Sequence, residues 1–128
     1  MIEVKKITGK GRGIIATESI AQGSLLEVAP VIPFPAEQRA IVDKTELFKY
    51  YFVQPMEYVE NEKAKGYIIL GLASLCNHTE EPNSYVDWVE DKVGIWSHLI
   101  AKKDIKVGEE ITMFYTNIDE YYEANNFV

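Results

Sequence analysis

A mainly β fold with a pseudo-symmetric core is what this sequence predicts, and three observations predict it. Apolar residues fall in short runs with strand-like alternation, separated by Gly, Pro, Asn and Asp turn signals. Only one stretch reads as a helix. One unit also occurs twice: Ile15-Ala16 followed by Ile20 and Gly23 recurs as Ile100-Ala101 followed by Ile105 and Gly108, at a common offset of 85 residues. Each copy reads as a strand, an exposed turn, a glycine bend and a second strand, at Leu25-Leu26 or Glu110-Ile111.

The elements follow in order. Residues 1–7 alternate as a strand and lack the apolar core of a signal peptide. Residues 13–17 form a strand leaving a glycine-rich turn. Residues 24–34 are extended and rich in Leu and Val, and Pro30 and Pro33 mark them as an edge or irregular strand. The one helix spans 35–42, with Pro35 at the first helical position, where a missing N–H costs nothing. Residues 83–89 and 93–101 make a hairpin around Glu90-Asp91-Lys92, and 111–115 is the last strand. No linker or low-complexity tract intervenes, so one domain over 1–128 is expected.

Composition narrows the function. At 128 residues and 47% hydrophobic, the chain can bury roughly two-thirds of its unfolded surface without staples. No apolar run approaches the roughly twenty residues that span a bilayer, so no membrane partner is expected. The single cysteine, Cys76, excludes an intrachain disulfide and a cysteine-rich zinc cluster; after an apolar run it reads as a buried thiol rather than a nucleophile. The net charge is −7, from 20 acidic and 13 basic residues. With no Lys/Arg cluster to displace phosphate counterions, direct nucleic-acid binding is not expected. An acidic surface suits basic partners such as Lys-rich segments, or simply solubility. The expected location is intracellular: cytoplasmic in a bacterium, nuclear in a eukaryote or virus.

Three segments carry candidate chemistry. In Gly9-Lys10-Gly11-Arg12-Gly13, alternating glycines let a ligand approach the backbone, though a plain hairpin has the same composition. No Lys-Ser/Thr follows, which argues against a phosphate loop. Asn77-His78-Thr79-Glu80-Glu81-Pro82-Asn83 sets two amides and an imidazole at the edge of an apolar run, where each needs a hydrogen-bond partner in the backbone or a ligand. His98, beside Trp96, reads as structural or exposed, and with two histidines and no ligand spacing no metal site is expected. The third segment, Gly108-Glu109-Glu110-Ile111-Thr112-Met113-Phe114-Tyr115, is a turn feeding a strand that ends in tyrosine.

Together, and in this order, these segments resemble the SET domain. Gly11-Arg12-Gly13 is similar to that family's Gly-x-Gly cofactor turn. The 77–83 segment resembles its Asn-His-Ser-x-x-Pro-Asn signature, with Thr79 for serine, and Gly108-Glu109-Glu110-Ile111 leading to Tyr115 resembles its Gly-Glu-Glu-Leu-x-x-x-Tyr ending. The resemblance implies a β-clip fold with short strands, one short inserted helix and a knot-like C-terminal substructure. It implies an enzyme that transfers a methyl group from S-adenosylmethionine (SAM) to a lysine ε-amine of a basic protein or peptide, without a metal. Lys10, Gly11, Arg12, Gly13, Asn77 and His78 would then hold SAM and Tyr115 would be catalytic. Tyr50, Tyr51, Met113, Tyr121 and Tyr122 would line the lysine channel. A homodimer in which C-terminal aromatics, Phe127 among them, cap a partner's channel is compatible with it.

The sequence departs from the family pattern at Phe114, where Asp is common before the tyrosine, and at Glu80, where cysteine commonly follows the triplet. These departures leave room for a non-catalytic β-clip module that binds SAM or a peptide without turnover. Met113 stands where many members carry a Phe or Tyr that governs methyl number.

Overall fold

The computed structural model describes residues 1–60 and 64–118. Its strands build two sheets. The first, in the order β1-β2-β9-β6, consists of β1 (Ile2–Ile7), β2 (Gly11–Ala16), β9 (Glu110–Met113) and β6 (Asn77–His78). The second, in the order β4-β5-β3-β8-β7, consists of β4 (Tyr51–Phe52), β5 (Gly66–Ile69), β3 (Leu25–Phe34), β8 (Ile95–Ala101) and β7 (Ser84–Glu90). Neighbours run antiparallel except β6 and β9, which are parallel.

The repeated unit is the joint between the sheets, and its two copies hold each other reciprocally. Ile20 and Ile105 exchange both backbone bonds at 2.8 Å. Gly23 N–H donates to Ala101 O, and its equivalent, Gly108 N–H, donates to Ala16 O, each at 2.8 Å. Ala101 N–H reaches Ser24 O just as Ala16 N–H reaches Glu109 O, both at 2.9 Å. The bend glycines have matching φ of 86° and 87°, a left-handed conformation that glycine adopts without a Cβ penalty. This clasp encloses the main core, where Ile14, Leu99, Ile105 and Ile111 are buried with Cys76. Each such aliphatic side chain contributes roughly 1.5–3 kcal/mol.

Two expectations need adjustment. Of the two readings of the proline-bearing strand, edge or irregular, the second holds: β3 is irregular but central in the sheet order. It pairs with β8 over Leu25–Val31 and with β5 over Val31–Phe34, with a bulge between Leu25 and Glu27. In register terms Pro30 and Pro33 each fall in a stretch paired with one neighbouring strand, which is how prolines without N–H groups are accommodated. The predicted helix divides into a 3₁₀ turn, Ala36–Gln38, capped by Pro35, and a short α1 (Arg39–Val42). A second helix, α2 (Pro55–Glu60), was not anticipated, although Pro55 gives the same start signal. A smaller cluster of Phe34, Tyr51, Val53 and Ala64 fills the inserted region. The hairpin between β7 and β8 turns as expected, with Asp91 Oδ1 accepting from the N–H groups of Val93 (2.8 Å) and Gly94 (3.1 Å).

Candidate active site

The site is built where β6 is laid parallel on β9. Asn77 lies beside Thr112 and His78 beside Met113, and Thr79 N–H donates to Met113 O at 2.9 Å. The far end of the same loop returns to β9 through buried Asn83. Its Nδ2 donates to Glu110 O (2.8 Å) and its Oδ1 accepts from Thr112 N–H (2.9 Å). Ser84 Oγ adds a bond to Thr112 O at 2.7 Å. The 77–83 loop therefore grips the last strand at both ends, the knot-like arrangement that was expected.

Asn77 joins β9 to the glycine turn. Its Nδ2 donates to Arg12 O at 3.2 Å and to Glu110 Oε2 at 2.6 Å, while Glu110 Oε1 pairs with Lys10 Nζ at 3.3 Å. A Cβ on Gly13 would lie 2.6 Å from Ile7 Cγ1 and 2.9 Å from both Asn77 Nδ2 and Glu110 Oε2. Glycine there permits close packing. Gly11 differs, with φ of 78° and open space where a Cβ would stand.

His78 and Tyr115 form the second half. Tyr115 N–H donates to His78 Nδ1 at 2.9 Å, and the imidazole lies 4.9 Å from the Phe114 ring and 5.2 Å from the Tyr115 ring. Burial lowers the His78 pKa, partly opposed by Glu80 at 3.8 Å, so the ring is neutral at pH 7 and its Nδ1 can accept. The Tyr115 hydroxyl donates to Cys76 O at 2.6 Å. Burial, with Cys76 and Glu110 nearby, raises its pKa well above the ordinary phenol value, keeping it a donor. The Cys76 thiol is raised too by burial and remains an inert core group, as expected.

Cys76 O is itself positioned from a distance. The Glu27 carboxylate accepts from Leu72 N–H (2.8 Å) and Ala73 N–H (3.1 Å). It thereby fixes the 3₁₀ turn Leu72–Leu75, whose C-cap is Cys76. On the other side of Tyr115, Phe52 meets its ring edge-on at 6.3 Å and meets Trp88 at the same distance. A cavity of about 300 Å³ opens there, with Phe52, Trp88, Val86, Met113, Tyr85 and Lys102 in its walls.

Most of the candidate residues converge, with exceptions. Lys10, Arg12, Gly13 and Asn77 meet around Glu110, and His78, Met113 and Tyr115 adjoin them. Tyr50 is partly exposed and close enough to influence Tyr115 electrostatically. Tyr51 is not in this group: it is 2% exposed in the Phe34 cluster, donating to Asp43 Oδ1 at 2.6 Å and accepting from Arg39 Nε at 3.4 Å. Strand alternation turns the next residue, Phe52, toward Tyr115 instead. Tyr121, Tyr122 and Phe127 lie outside the described residues. Sequence reasoning missed Glu27, Phe52, Trp88 and the part played by Glu110. A signal for Glu110 existed, because the equivalent residue in the other copy is Leu25. Among the described residues no three His, Cys, Asp or Glu side chains gather as metal ligands.

The SET domain model matches residues 11–116, from the glycine turn to just past Tyr115. The chain belongs to the SET domain family. A Schizosaccharomyces pombe histone-lysine N-methyltransferase, H3 lysine-37 specific, is 30% identical over 114 residues, covering 89% of this chain and 72% of that protein. A Yarrowia lipolytica histone-lysine N-methyltransferase, H3 lysine-36 specific, is 33% identical over 127 residues, covering 94% of this chain but 16% of that protein's length. The SET fold is also shared with solved structures. The Neurospora SET domain protein DIM-5, a histone lysine methyltransferase, superposes with a TM-score of 0.67 at 18% identity, over 91% of this chain and 52% of that one. A Plasmodium falciparum protein described as a candidate histone methyltransferase gives 0.66 at 21% identity, over 90% and 96%.

Proposed function

We propose that this SET domain, read as one domain over residues 1–128, transfers a methyl group from SAM to a lysine ε-amine of a basic protein. One observation carries the reading: β6 on β9 joins the Gly11–Gly13 turn to Asn77 on one side and holds Tyr115 through His78 and Cys76 O on the other. Family membership and the lysine methyltransferases among its relatives support it.

The residues fit the cofactor. Asn77 Nδ2 is occupied by protein acceptors, which leaves Oδ1 to accept from a ligand ammonium. The open space at Gly11 admits close backbone approach. Lys10 and Arg12 supply cationic groups for a carboxylate, and the lowered His78 pKa keeps that ring neutral beside a cationic ligand. When bound, SAM supplies a methyl activated on a sulfonium.

The chain's own part is to position and desolvate the amine. Only a neutral amine has a free lone pair, and at pH 7 deprotonating lysine costs about 4–5 kcal/mol from a pKa near 10.4. Walls such as Phe52, Trp88 and Met113 disfavour the ammonium. The hydroxyl of Tyr115 and the carbonyl it binds can orient the nitrogen, and alignment at about 3–3.5 Å contributes roughly 7–11 kcal/mol.

The test is incubation of the chain with methyl-labelled SAM and histone H3, read by mass spectrometry. Label on lysine is expected. A thermal shift with SAM and no label on any protein of a whole lysate would replace this reading with the non-catalytic module to which Phe114 and Glu80 point. The relatives' substrates make H3 the first protein to offer. No described helix is long and apolar enough to cross a membrane.

A further inference from the structure

Apart from Tyr85, the outer face of the five-stranded sheet has no part in the site described above, and its composition is unusual for a solvated surface. Strand register sets its rows: Asp87 and Val28 flank His98 in one, and Val89 and Pro30 flank Trp96 in the next. Side chains directly opposite in antiparallel strands point the same way. The inward face, with Ala29, Val31, Ser97 and Leu99, belongs to the core. The outward one is covered at its β4–β5 end, where Phe34, Tyr51 and Ile68 pack with Val42, and is open over the rest: Leu25, Val28, Ile32, Leu70 and Tyr85 are each 46–55% exposed. Half-uncovered side chains of this size leave on the order of 500 Å² of apolar surface, near the upper limit for a typical monomer.

We propose that a second copy of this chain docks here, sheet face on sheet face. Two observations select a copy over a charged partner. First, the chain has a net charge of −7, yet the exposed part of this face, over Leu25, Val28, Ile32, Leu70 and Tyr85, is apolar, with the carboxylates of Asp87 and, beside Trp96, Asp91 to one side of it. Two acidic molecules therefore repel least when they meet here. Asp87 and His98 sit side by side, so the face carries both members of a polar pair and is self-complementary under a two-fold axis. Second, two such faces bury on the order of 1,000 Å² together, the lower bound for a stable interface, with sheets packing about 10 Å apart. Tyr85 stands on this face and in the wall of the cavity beside Tyr115, so the second copy would border that cavity. This surface is different from the C-terminal aromatics considered above.

Sedimentation or light scattering of the 128-residue chain at about 100 µM should give twice the 14.6 kDa chain mass. Val28→Lys combined with Ile32→Lys should return it to the monomer mass with an unchanged circular dichroism spectrum. Because Cys76 is buried, Val28→Cys places one accessible thiol on the face, and mild oxidation should cross-link it. Val107→Cys, on an exposed turn elsewhere, should stay uncross-linked. A monomeric wild type, which would leave the face to some other partner, overturns the proposal. So does a dimer that survives the double substitution, or equal cross-linking at position 107. Should the double variant unfold, the two cysteine variants decide alone.

Discussion

At equivalent places in the repeated unit, Leu25 pairs with Ile100 and Glu110 pairs with Ile15, in the same register. Leu25 is left half-exposed on the outer sheet face. Glu110 turns its carboxylate to Asn77 and Lys10 and becomes the hub of the site. The backbone bonds of the two copies match almost one for one, so the difference lies in what was added. After Leu25, β3 bulges and runs on between two antiparallel neighbours. After Glu110, β9 receives β6 as a parallel second partner and leads to Tyr115. A symmetric clasp supplies the stable frame, and chemistry attaches to the copy on which the inserted segment lands.

The largest effect should come from the end of that copy. In Tyr115→Phe, methyl transfer is expected to fall by on the order of 10²–10³-fold in kcat, the range seen when one oriented donor is removed, with little change in SAM affinity. Steady-state kinetics beside calorimetric binding separates the two. Equal losses in both would make Tyr115 a binding residue.

The next effect concerns the grip on β9, which has no counterpart in the other copy. Asn83→Ala leaves Glu110 O and Thr112 N–H without their buried partner, which should cost about 2–4 kcal/mol in denaturant unfolding. A loss below about 0.5 kcal/mol would mean that the parallel strand holds without the clamp. Making the copies alike is gentler. Glu110→Leu should fold, since Leu25 occupies the equivalent place, but Asn77 loses its 2.6 Å acceptor. SAM affinity should then weaken by about tenfold, equivalent to about 1.4 kcal/mol. Unchanged affinity would remove Glu110 from the site.

How much of this could be read from the sequence follows from the range of the interactions involved. The repeat was legible because glycine at φ near 87° and the paired isoleucines leave local marks. The motifs around Gly11, Asn77 and Tyr115 were legible as spaced residue types. Tyr51 was misplaced because alternation decides between neighbours, and a two-residue strand offers no periodicity to fix its phase. Glu27 was missed because its partners, Leu72 and Ala73, lie 45 and 46 residues away, a contact that only the folded chain creates. The prolines of β3 pointed to an edge or irregular strand; β3 is irregular, with a bulge between Leu25 and Glu27, but lies in the middle of the sheet. Proline forbids a ladder bond on one side of one residue, and the strand meets that rule by changing partners at Val31.

The smallest effect tests the equivalence itself. Gly23 and Gly108 have φ of 86° and 87°, and neither has an atom within 4 Å of where a Cβ would stand. Alanine at either position therefore meets no clash, and its cost is backbone strain alone, about 1–2 kcal/mol in each case. Gly23→Ala and Gly108→Ala should thus lower stability by amounts that agree within about 0.5 kcal/mol. Activity should separate them: Gly108 feeds β9, which carries Glu110 and leads to Tyr115, whereas Gly23 feeds the sheet away from the site. Strain at 108 can be relieved by shifting β9 against β6, and the Tyr115 hydroxyl would move with it. Unequal unfolding free energies would show that the matched hydrogen bonds hide different local stabilities. Equal activities would show that the grip of Asn77 and Asn83 fixes β9 independently of the turn that leads into it.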